Sequence, residues 1–299
     1  MSRLLDALDR SQEEASSGNP APFAELFAHP GSPPPAELVS VPSVQPSLAP
    51  ESRLEVLTNP YDFGAEQFRV LGARLQHLAE TRSLKTLLVT SASFQEGKSL
   101  VCLNLAITLA KRAGKKVLLV EGDLRKPALC QMLGLPRLRG VSDWVQSNEP
   151  LTNFLYRVAD LDLWLLPAGE SCAQPLEVIQ LLRQRDLPAQ ASRYFDWIVI
   201  DSAPLLVADS SILSRMADGT LVVVRQESTQ KKRLQKSLAS VEKVLGFVLN
   251  NATSVDPHDY DHYHTLAKSN GNGNHAGRKT PSETPSTSTD ANGVNAIAS

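Results

Sequence analysis

The chain has 299 residues, of which 42% are hydrophobic, enough for the core of one large α/β domain or of two small ones. Its formal net charge of −2 argues against a surface that binds nucleic acid through net positive charge. The sequence has no signal peptide and no apolar run of about 18 residues, so we expect no transmembrane segment of its own.

The three cysteines are scattered along the chain, at Cys102, Cys130 and Cys172. Their odd number and irregular spacing fit neither a disulfide framework nor a zinc site, so we expect a reducing, cytoplasmic environment.

The N-terminal region divides into two parts. Residues 1–15 are predicted to form a short helix with Leu4, Leu5 and Leu8 on one side; it is either a frayed terminal helix or a docking helix for a partner. Residues 16–60 hold half of the twenty prolines among Ser, Ala and Glu. This composition predicts a disordered linker, because it buries too little apolar surface to offset the entropy of ordering.

A helix is predicted from Pro60 to Thr81, where hydrophobic residues, among them Phe63, Phe68 and Leu71, follow helical spacing from the middle onward. It also carries Glu66, Arg69 and Arg74, which the simplest interpretation places on a solvated face. We place the start of the folded domain at residue 61 and its end at residue 252.

The most informative stretch is a strand, a loop and a helix within residues 83–114. An apolar strand at 84–90 leads into Gly97-Lys98-Ser99, and a helix-length apolar segment then runs to Gly114. This is the context of a phosphate-binding P-loop, whose backbone N–H groups and helix dipole attract an anion. Ala92 replaces the first glycine of the pattern, and the alternative is a chance Gly-Lys-Ser at a helix start. The residues predicted to surround a nucleotide are Ser93, Phe94, Gln95, Glu96, Gly97, Lys98, Ser99 and Leu100.

Acidic residues follow two further apolar strands. The strand at 117–120 ends in Glu121 and Asp123. A further strand is predicted at 194–201, where four apolar residues run into Asp201, the pattern of a Walker B motif. Ligands of open α/β sheets bind at the carboxyl ends of the strands, so these acids are expected at the nucleotide edge. There they could bind Mg²⁺ or accept a proton. The alternative for the first pair is an ordinary polar loop.

The remaining elements complete an alternating pattern. We predict a strand at 161–166, a helix at 175–185, a helix at 209–216, a strand at 219–224, a basic amphipathic helix at 229–245 and a strand at 246–250. The alternation predicts an α/β fold of three layers, the P-loop NTPase fold, with a mostly parallel central sheet flanked by helices.

Residues 253–299 are predicted to be a flexible tail, rich in Gly, Asn, Ser and Thr. Tyr260 and Tyr263 lie near its start, close to acids. They are either a functional pair or two incidental aromatics, and His258, His262 and His264 offer a weaker alternative, a metal site.

Four passages together resemble the bacterial tyrosine kinases, the polysaccharide-biosynthesis autokinases of the CpsD/CapB type. They lie at 91–99, 117–127, 198–204 and 246–251, and the likeness spans about residues 60–263. The resemblance implies an ATP-dependent protein-tyrosine kinase that regulates exopolysaccharide or capsule synthesis. It also implies a cytoplasmic chain held at the inner face of the membrane by an activator of the chain-length-regulator type.

The resemblance also implies roles for individual residues. Lys98 and Ser99 would hold ATP·Mg²⁺, and Asp201 would support the metal. Glu121 and Asp123 would stand where the family has paired aspartates, one of which activates the tyrosine hydroxyl. Tyr260 and Tyr263 would be phosphoacceptors, presented to a neighbouring subunit. Glu66 and Arg69 would belong to a motif that builds a ring-shaped oligomer.

The chain departs from the family pattern at three positions. Glu121 replaces the first aspartate, Phe94 stands where the family often has proline, and Gly72 takes the place of the last arginine of the ring motif. Two rivals therefore remain: a nucleotide-binding regulatory or scaffold subunit without kinase activity, and a MinD/ParA-like ATPase switch. The second rival is disfavoured, because Ser93 occupies the position of its second lysine.

Overall fold

The computed structural model describes residues 36–50, 52–112, 114–226 and 229–252. The strands of this part of the chain are β1 (Ser43–Val44), β2 (Thr86–Ser91), β3 (Val117–Glu121), β4 (Tyr156–Val158), β5 (Leu163–Leu166), β6 (Trp197–Asp201), β7 (Gly219–Arg225) and β8 (Val244–Asn250). The α-helices are α1 (Ala36–Val39), α2 (Glu55–Thr58), α3 (Phe63–Thr81), α4 (Lys98–Ala110), α5 (Leu129–Met132), α6 (Val141–Gln146), α7 (Pro175–Gln184), α8 (Leu187–Ala191), α9 (Ala208–Met216) and α10 (Lys231–Leu238).

The strands form one sheet in the order β1-β4-β5-β3-β6-β2-β7-β8. Neighbouring strands are parallel except for β4 and β5, which are antiparallel. Strand β2, which leads into the P-loop, lies between β6 and β7. The predicted α/β fold with a mostly parallel sheet is confirmed, and the carboxyl ends of β2, β3 and β6 meet at one edge.

The central strands bury side chains on both faces of the sheet. On β2, Leu88 packs into a core with residues of α6, α7 and α9, whereas Leu87 and Val89 pack into a second core with residues of α3 and α4. Because successive strand residues point to opposite faces, a nearly continuous apolar run is what such a strand requires. Helix α4 is buried over almost its whole length between the sheet and α3, and its position fixes the P-loop at its first turn.

The prediction of a disordered linker is wrong for the part of residues 36–60 that the structure describes. Leu38 and Val41 are buried in one core and Leu54 and Val56 in the other. Strand β1 pairs with β4 at the edge of the sheet, where proline-rich sequence is tolerated. A few aliphatic side chains among the prolines are therefore enough to hold this segment on the domain.

Two other element boundaries differ from the predictions. The basic helix α10 ends at Leu238 instead of 245, because the chain turns at Lys243, whose φ is +52°, and then enters β8. The P-loop helix ends at Ala110, four residues before Gly114. The predicted N-terminal helix at 1–15 and the tail at 253–299 lie outside the described residues.

Within the described ranges, no helix combines the length and the apolar character that a membrane crossing needs.

Candidate active site

The P-loop joins the end of β2 to the start of α4. Gly97 precedes the helix with a φ of +87°, and a Cβ atom there would lie 2.1 Å from Nδ2 of Asn250. Only glycine fits such a position, since L-residues avoid this conformation and no side chain has room. The free N–H groups of the first turn of α4 then point to one spot, with the positive end of the helix dipole. The loop is therefore built to receive an anion.

Glu96 braces the loop from inside the protein. Its carboxylate is buried and accepts hydrogen bonds from the backbone N–H of Ser93 at 2.8 Å and from the hydroxyl of Thr229. Its carbonyl oxygen accepts a hydrogen bond from Nδ2 of Asn250 at 2.9 Å. The side chain of Glu96 thus holds the shape of the loop, and only its backbone is left to meet a nucleotide.

Lys98 and Asp123 form the central ion pair of the site. The Nζ of Lys98 lies 2.8 Å from Oδ2 of Asp123 and 3.2 Å from Oγ of Ser99. Both partners of the ion pair are largely buried, with side-chain exposures of 14% and 4%. Burial lowers the pKa of Lys98, but the attraction of Asp201 and Asp123 outweighs it and raises the pKa above its ordinary value. Lys98 is therefore a permanent cation where a triphosphate would lie.

Asp201 is fully buried at the end of β6, and neither of its carboxylate oxygens has a hydrogen-bond donor among the described residues. Burial raises its pKa to about 7, although the positive charge of Lys98 favours the ionised form. A buried carboxylate without donors is costly, so a cation is the partner that best satisfies it. Hard oxygen donors, Asp201 with the nearby Ser99 hydroxyl, suit Mg²⁺.

Glu121 does not join this group, although the sequence predicts it there with Asp123. One oxygen of its carboxylate accepts hydrogen bonds from the backbone N–H groups of Ala128 at 2.5 Å and Leu129 at 2.6 Å. The other accepts from the N–H of Ala168 at 3.1 Å. Burial raises the pKa of Glu121, and the three hydrogen bonds offset part of this rise. The extra methylene of glutamate lets the carboxylate reach past the strand end and tie two loops together.

Gly122 explains how two acids that follow one strand take different directions. Its N–H donates a 2.7 Å hydrogen bond to the carbonyl oxygen of Asp201, so β3 and β6 stay paired to their ends. A Cβ at this position would lie 2.8 Å from that carbonyl oxygen. The backbone can therefore pass closely here only without a side chain, which leaves Asp123 beside Lys98 and Glu121 under the neighbouring loop.

The structure adds an ion pair between an exposed arginine and a buried aspartate that the sequence does not reveal. The guanidinium of Arg125 donates from Nε to Asp209 at 2.7 Å and from a terminal nitrogen at 3.2 Å. Asp209 is almost fully buried in the first turn of α9. The pair anchors the loop after Asp123, and the only signal in the sequence is the presence of polar residues after strand ends.

Other side chains surround the P-loop from outside. Phe94 is 49% exposed, with the ammonium of Lys126 5.4 Å from its ring centroid. A terminal nitrogen of Arg225 lies 3.3 Å from the carbonyl oxygen of Gln95, and Nη1 of Arg233 lies 3.3 Å from Oγ of Ser93. The sequence points to neither arginine as a site residue, because each approaches the loop from more than 100 residues away in the chain.

The predicted oligomerisation residues lie on α3. Glu66 and Arg69 form an exposed ion pair at 2.6 Å, and Arg69 also donates to the carbonyl oxygen of Pro60. Gly72, where the ring motif has its last arginine, is buried, and a Cβ there would lie 3.2 Å from Cγ2 of Thr108 on α4. A side chain at position 72 would press against Thr108. Tyr260 and Tyr263 lie outside the described residues.

Comparisons with known proteins point to one family. No family model matches the chain. The tyrosine-protein kinase YwqD of Bacillus subtilis is 28% identical over 214 residues, which are 70% of this chain and 90% of that protein. The tyrosine-protein kinase wzc of Salmonella typhimurium is 30% identical over 222 residues, 71% of this chain but only 31% of that longer protein. The crystal structure of the chimerical protein CapA2B2 superposes with a TM-score of 0.62 at 27% identity, covering 71% of this chain and 95% of that one.

Proposed function

The chain belongs to the family of bacterial tyrosine kinases, and from this premise we propose that it transfers the γ-phosphate of ATP to tyrosine. Nucleotide binding at a P-loop is common to this fold. The observation that carries the proposal is the convergence of Lys98, Asp123 and Asp201, from three separate elements, at the mouth of that loop. Among the described residues, the carboxylate of Asp201 has no hydrogen-bond donor.

The binding step uses the P-loop and Lys98. The loop amides surround the β- and γ-phosphates, and Lys98 exchanges its ion pair with Asp123 for the phosphate oxygens. Mg²⁺ would be held by Ser99 and Asp201, and when bound it neutralises charge on the phosphates. Most of the catalysis is then positioning and charge neutralisation, because phosphoryl transfer asks for little covalent chemistry from the protein.

The transfer step needs a proton acceptor. A tyrosine oxygen forms the new bond to the γ-phosphorus while the bond from that phosphorus to the β–γ bridging oxygen breaks and ADP leaves; the phenolic proton passes to a carboxylate. We assign that carboxylate to Asp123, which the departure of Lys98 frees. Glu121 is assigned to positioning, since backbone donors occupy both of its oxygens.

Tyr260 and Tyr263 are the proposed acceptors, delivered by a neighbouring copy. We further infer that the chain works in the cytoplasm, at the inner face of the membrane, under a chain-length-regulator-type activator of exopolysaccharide or capsule synthesis. What supports these points is the family resemblance of the motifs.

The test is an autophosphorylation assay on the full chain with ATP and Mg²⁺, read by phosphotyrosine detection and by mass spectrometry. We expect phosphate on Tyr260 and Tyr263, and none in the Lys98→Met variant. An activator fragment should increase the signal. ATP binding without any phosphotyrosine, even with that fragment present, would contradict the proposal and favour a regulatory subunit.

A further inference from the structure

Helix α10 has one face that carries four exposed basic residues and no acidic one. These residues, called here the basic face, are Lys231, Lys232, Arg233 and Lys236. None of the four forms an ion pair within the part of the chain that the structure describes. The opposite side of the helix holds Leu234 and Leu238, which pack against a small core cluster that includes Val222 of β7.

The charge placement works against the helix itself. Three of the four cations lie in its first turn, next to the positive end of the helix dipole, and Lys232 and Lys236 repel each other at a spacing of four residues. Packing of the apolar side explains why α10 is on the sheet, but helix stability does not explain the basic face. An anionic partner would relieve both unfavourable interactions.

The basic face is next to the phosphate site. Arg233, one of its members, reaches Oγ of Ser93 in the P-loop at 3.3 Å, and Arg225 just before the helix reaches the carbonyl oxygen of Gln95 at the same distance. An anionic segment bound to this face would therefore be held beside the γ-phosphate position.

The sequence contains a segment of the matching charge. Residues 256–264 include Asp256, Asp259 and Asp261 and no Lys or Arg, and two of these acids flank Tyr260 directly. We propose that the basic face of α10 docks this acidic tyrosine segment from a second copy of the chain and so selects the phosphoacceptor. The inference rests on the proposed function, in which that segment is the substrate of a neighbouring copy.

The test separates enzyme from acceptor, both as full chains. The enzyme carries Tyr260→Phe and Tyr263→Phe, and the acceptor carries Lys98→Met. Adding Lys232→Gln and Lys236→Gln to the enzyme should raise KM for the acceptor about five-fold, as expected for the loss of two exposed charge contacts. KM for ATP and kcat should stay the same.

Two controls make the test specific. The matched pair Arg183→Gln and Arg193→Gln removes two exposed charges elsewhere and should leave KM for the acceptor unchanged. A charge exchange is the second control. An acceptor with Asp259→Lys and Asp261→Lys should show a higher KM with the enzyme that keeps its lysines. Adding Lys232→Glu and Lys236→Glu to the enzyme should bring the KM for this acceptor back down.

Three results would overturn the inference: an unchanged KM for the acceptor, a rise only in KM for ATP, or an effect confined to binding of phosphatidylserine vesicles. If even the unsubstituted pair forms no phosphotyrosine, the proposed function fails separately. A labelled peptide of residues 254–265 then decides by fluorescence anisotropy: weaker binding to the Lys232→Gln, Lys236→Gln variant supports the docking surface, and equal binding refutes it.

Discussion

Glu121 and Asp201 are two buried acids that lie side by side in the sheet, yet their carboxylates have very different hydrogen-bonding surroundings. They are register partners at the ends of the parallel strands β3 and β6. Glu121 receives three backbone hydrogen bonds, whereas Asp201 receives none from the described residues. Burial raises the pKa of both carboxyls, but only Glu121 has donors that satisfy its charge.

The difference separates a structural acid from a functional one. The donors around Glu121 join the start of α5 to the loop after β5, so its contribution is to the fold. The carboxylate of Asp201 is left for a partner that arrives with the substrate, at a cost to the stability of the free protein, as is common at active sites. Three substitutions or conditions can break or sharpen this contrast.

The largest effect is expected for Asp201→Asn. The change removes the charge that supports Mg²⁺ and should lower kcat for tyrosine phosphorylation about 1,000-fold, in line with the loss of one preorganised charge contact. Steady-state kinetics of the full chain measure this loss. A variant that keeps more than about a tenth of the activity would show that Asp201 is not part of the metal site.

The next effect is on stability, for Glu121→Ala. Three N–H groups, two of them in buried hydrogen bonds, lose their acceptor. Each orphaned buried donor costs about 1–3 kcal/mol, part of which water recovers. We expect the free energy of unfolding in urea to fall by about 3 kcal/mol. Glu121→Asp should not raise kinase activity, because the shorter side chain reaches the donors poorly. A gain in activity would instead mean that residue 121 takes part in the chemistry.

The smallest effect concerns pH in the nucleotide-free protein without Mg²⁺. Asp201 has a pKa of about 7 when folded against an ordinary 3.8, so the folded state binds the proton more tightly than the unfolded state. The contribution of Asp201 to the free energy of unfolding is therefore fully present below pH 3.8, its ordinary pKa, and is lost as the pH rises through about 7. Unfolding free energy should fall by up to about 1 kcal/mol between pH 6 and 7.

The Asp201→Asn variant is the control for this pH effect, because the raised pKa of Glu121 acts in the same direction. The variant should show a flatter pH dependence and a higher melting temperature at pH 8 than the unsubstituted chain. Parallel curves for the two proteins would mean that Asp201 is not the titrating group.

The parts of the site that could be predicted are those encoded within a few consecutive residues. One strand runs into Gly97-Lys98-Ser99 and another runs into Asp201. Each of these local patterns predicts that its polar residues lie at the carboxyl edge of the sheet. The role of Glu121 could not be predicted in this way, since one of its donors is Ala168, in a loop 47 residues further along. The direction of a side chain depends on such distant donors.

The fold shows the same division. Long apolar runs predict the central strands, whereas the prediction of disorder is wrong for the described part of residues 36–60, because its buried aliphatic side chains are sparse and stand among prolines. In the sequence, Gly72 is only a departure from a motif; the packing of α3 on α4 gives the reason for it. The composition of a segment predicts whether it can form a core alone, not whether it can join one.

The most direct test of the central claim is calorimetric titration of the full chain with a non-hydrolysable ATP analogue, with and without Mg²⁺. The claim is that Lys98 and Asp201 meet around one Mg²⁺-bound triphosphate and that Glu121 stays outside. Mg²⁺ should tighten binding at least about ten-fold in the unsubstituted chain and in Glu121→Gln, but not in Asp201→Asn. Retained Mg²⁺ dependence in Asp201→Asn, with its loss in Glu121→Gln, would contradict the account.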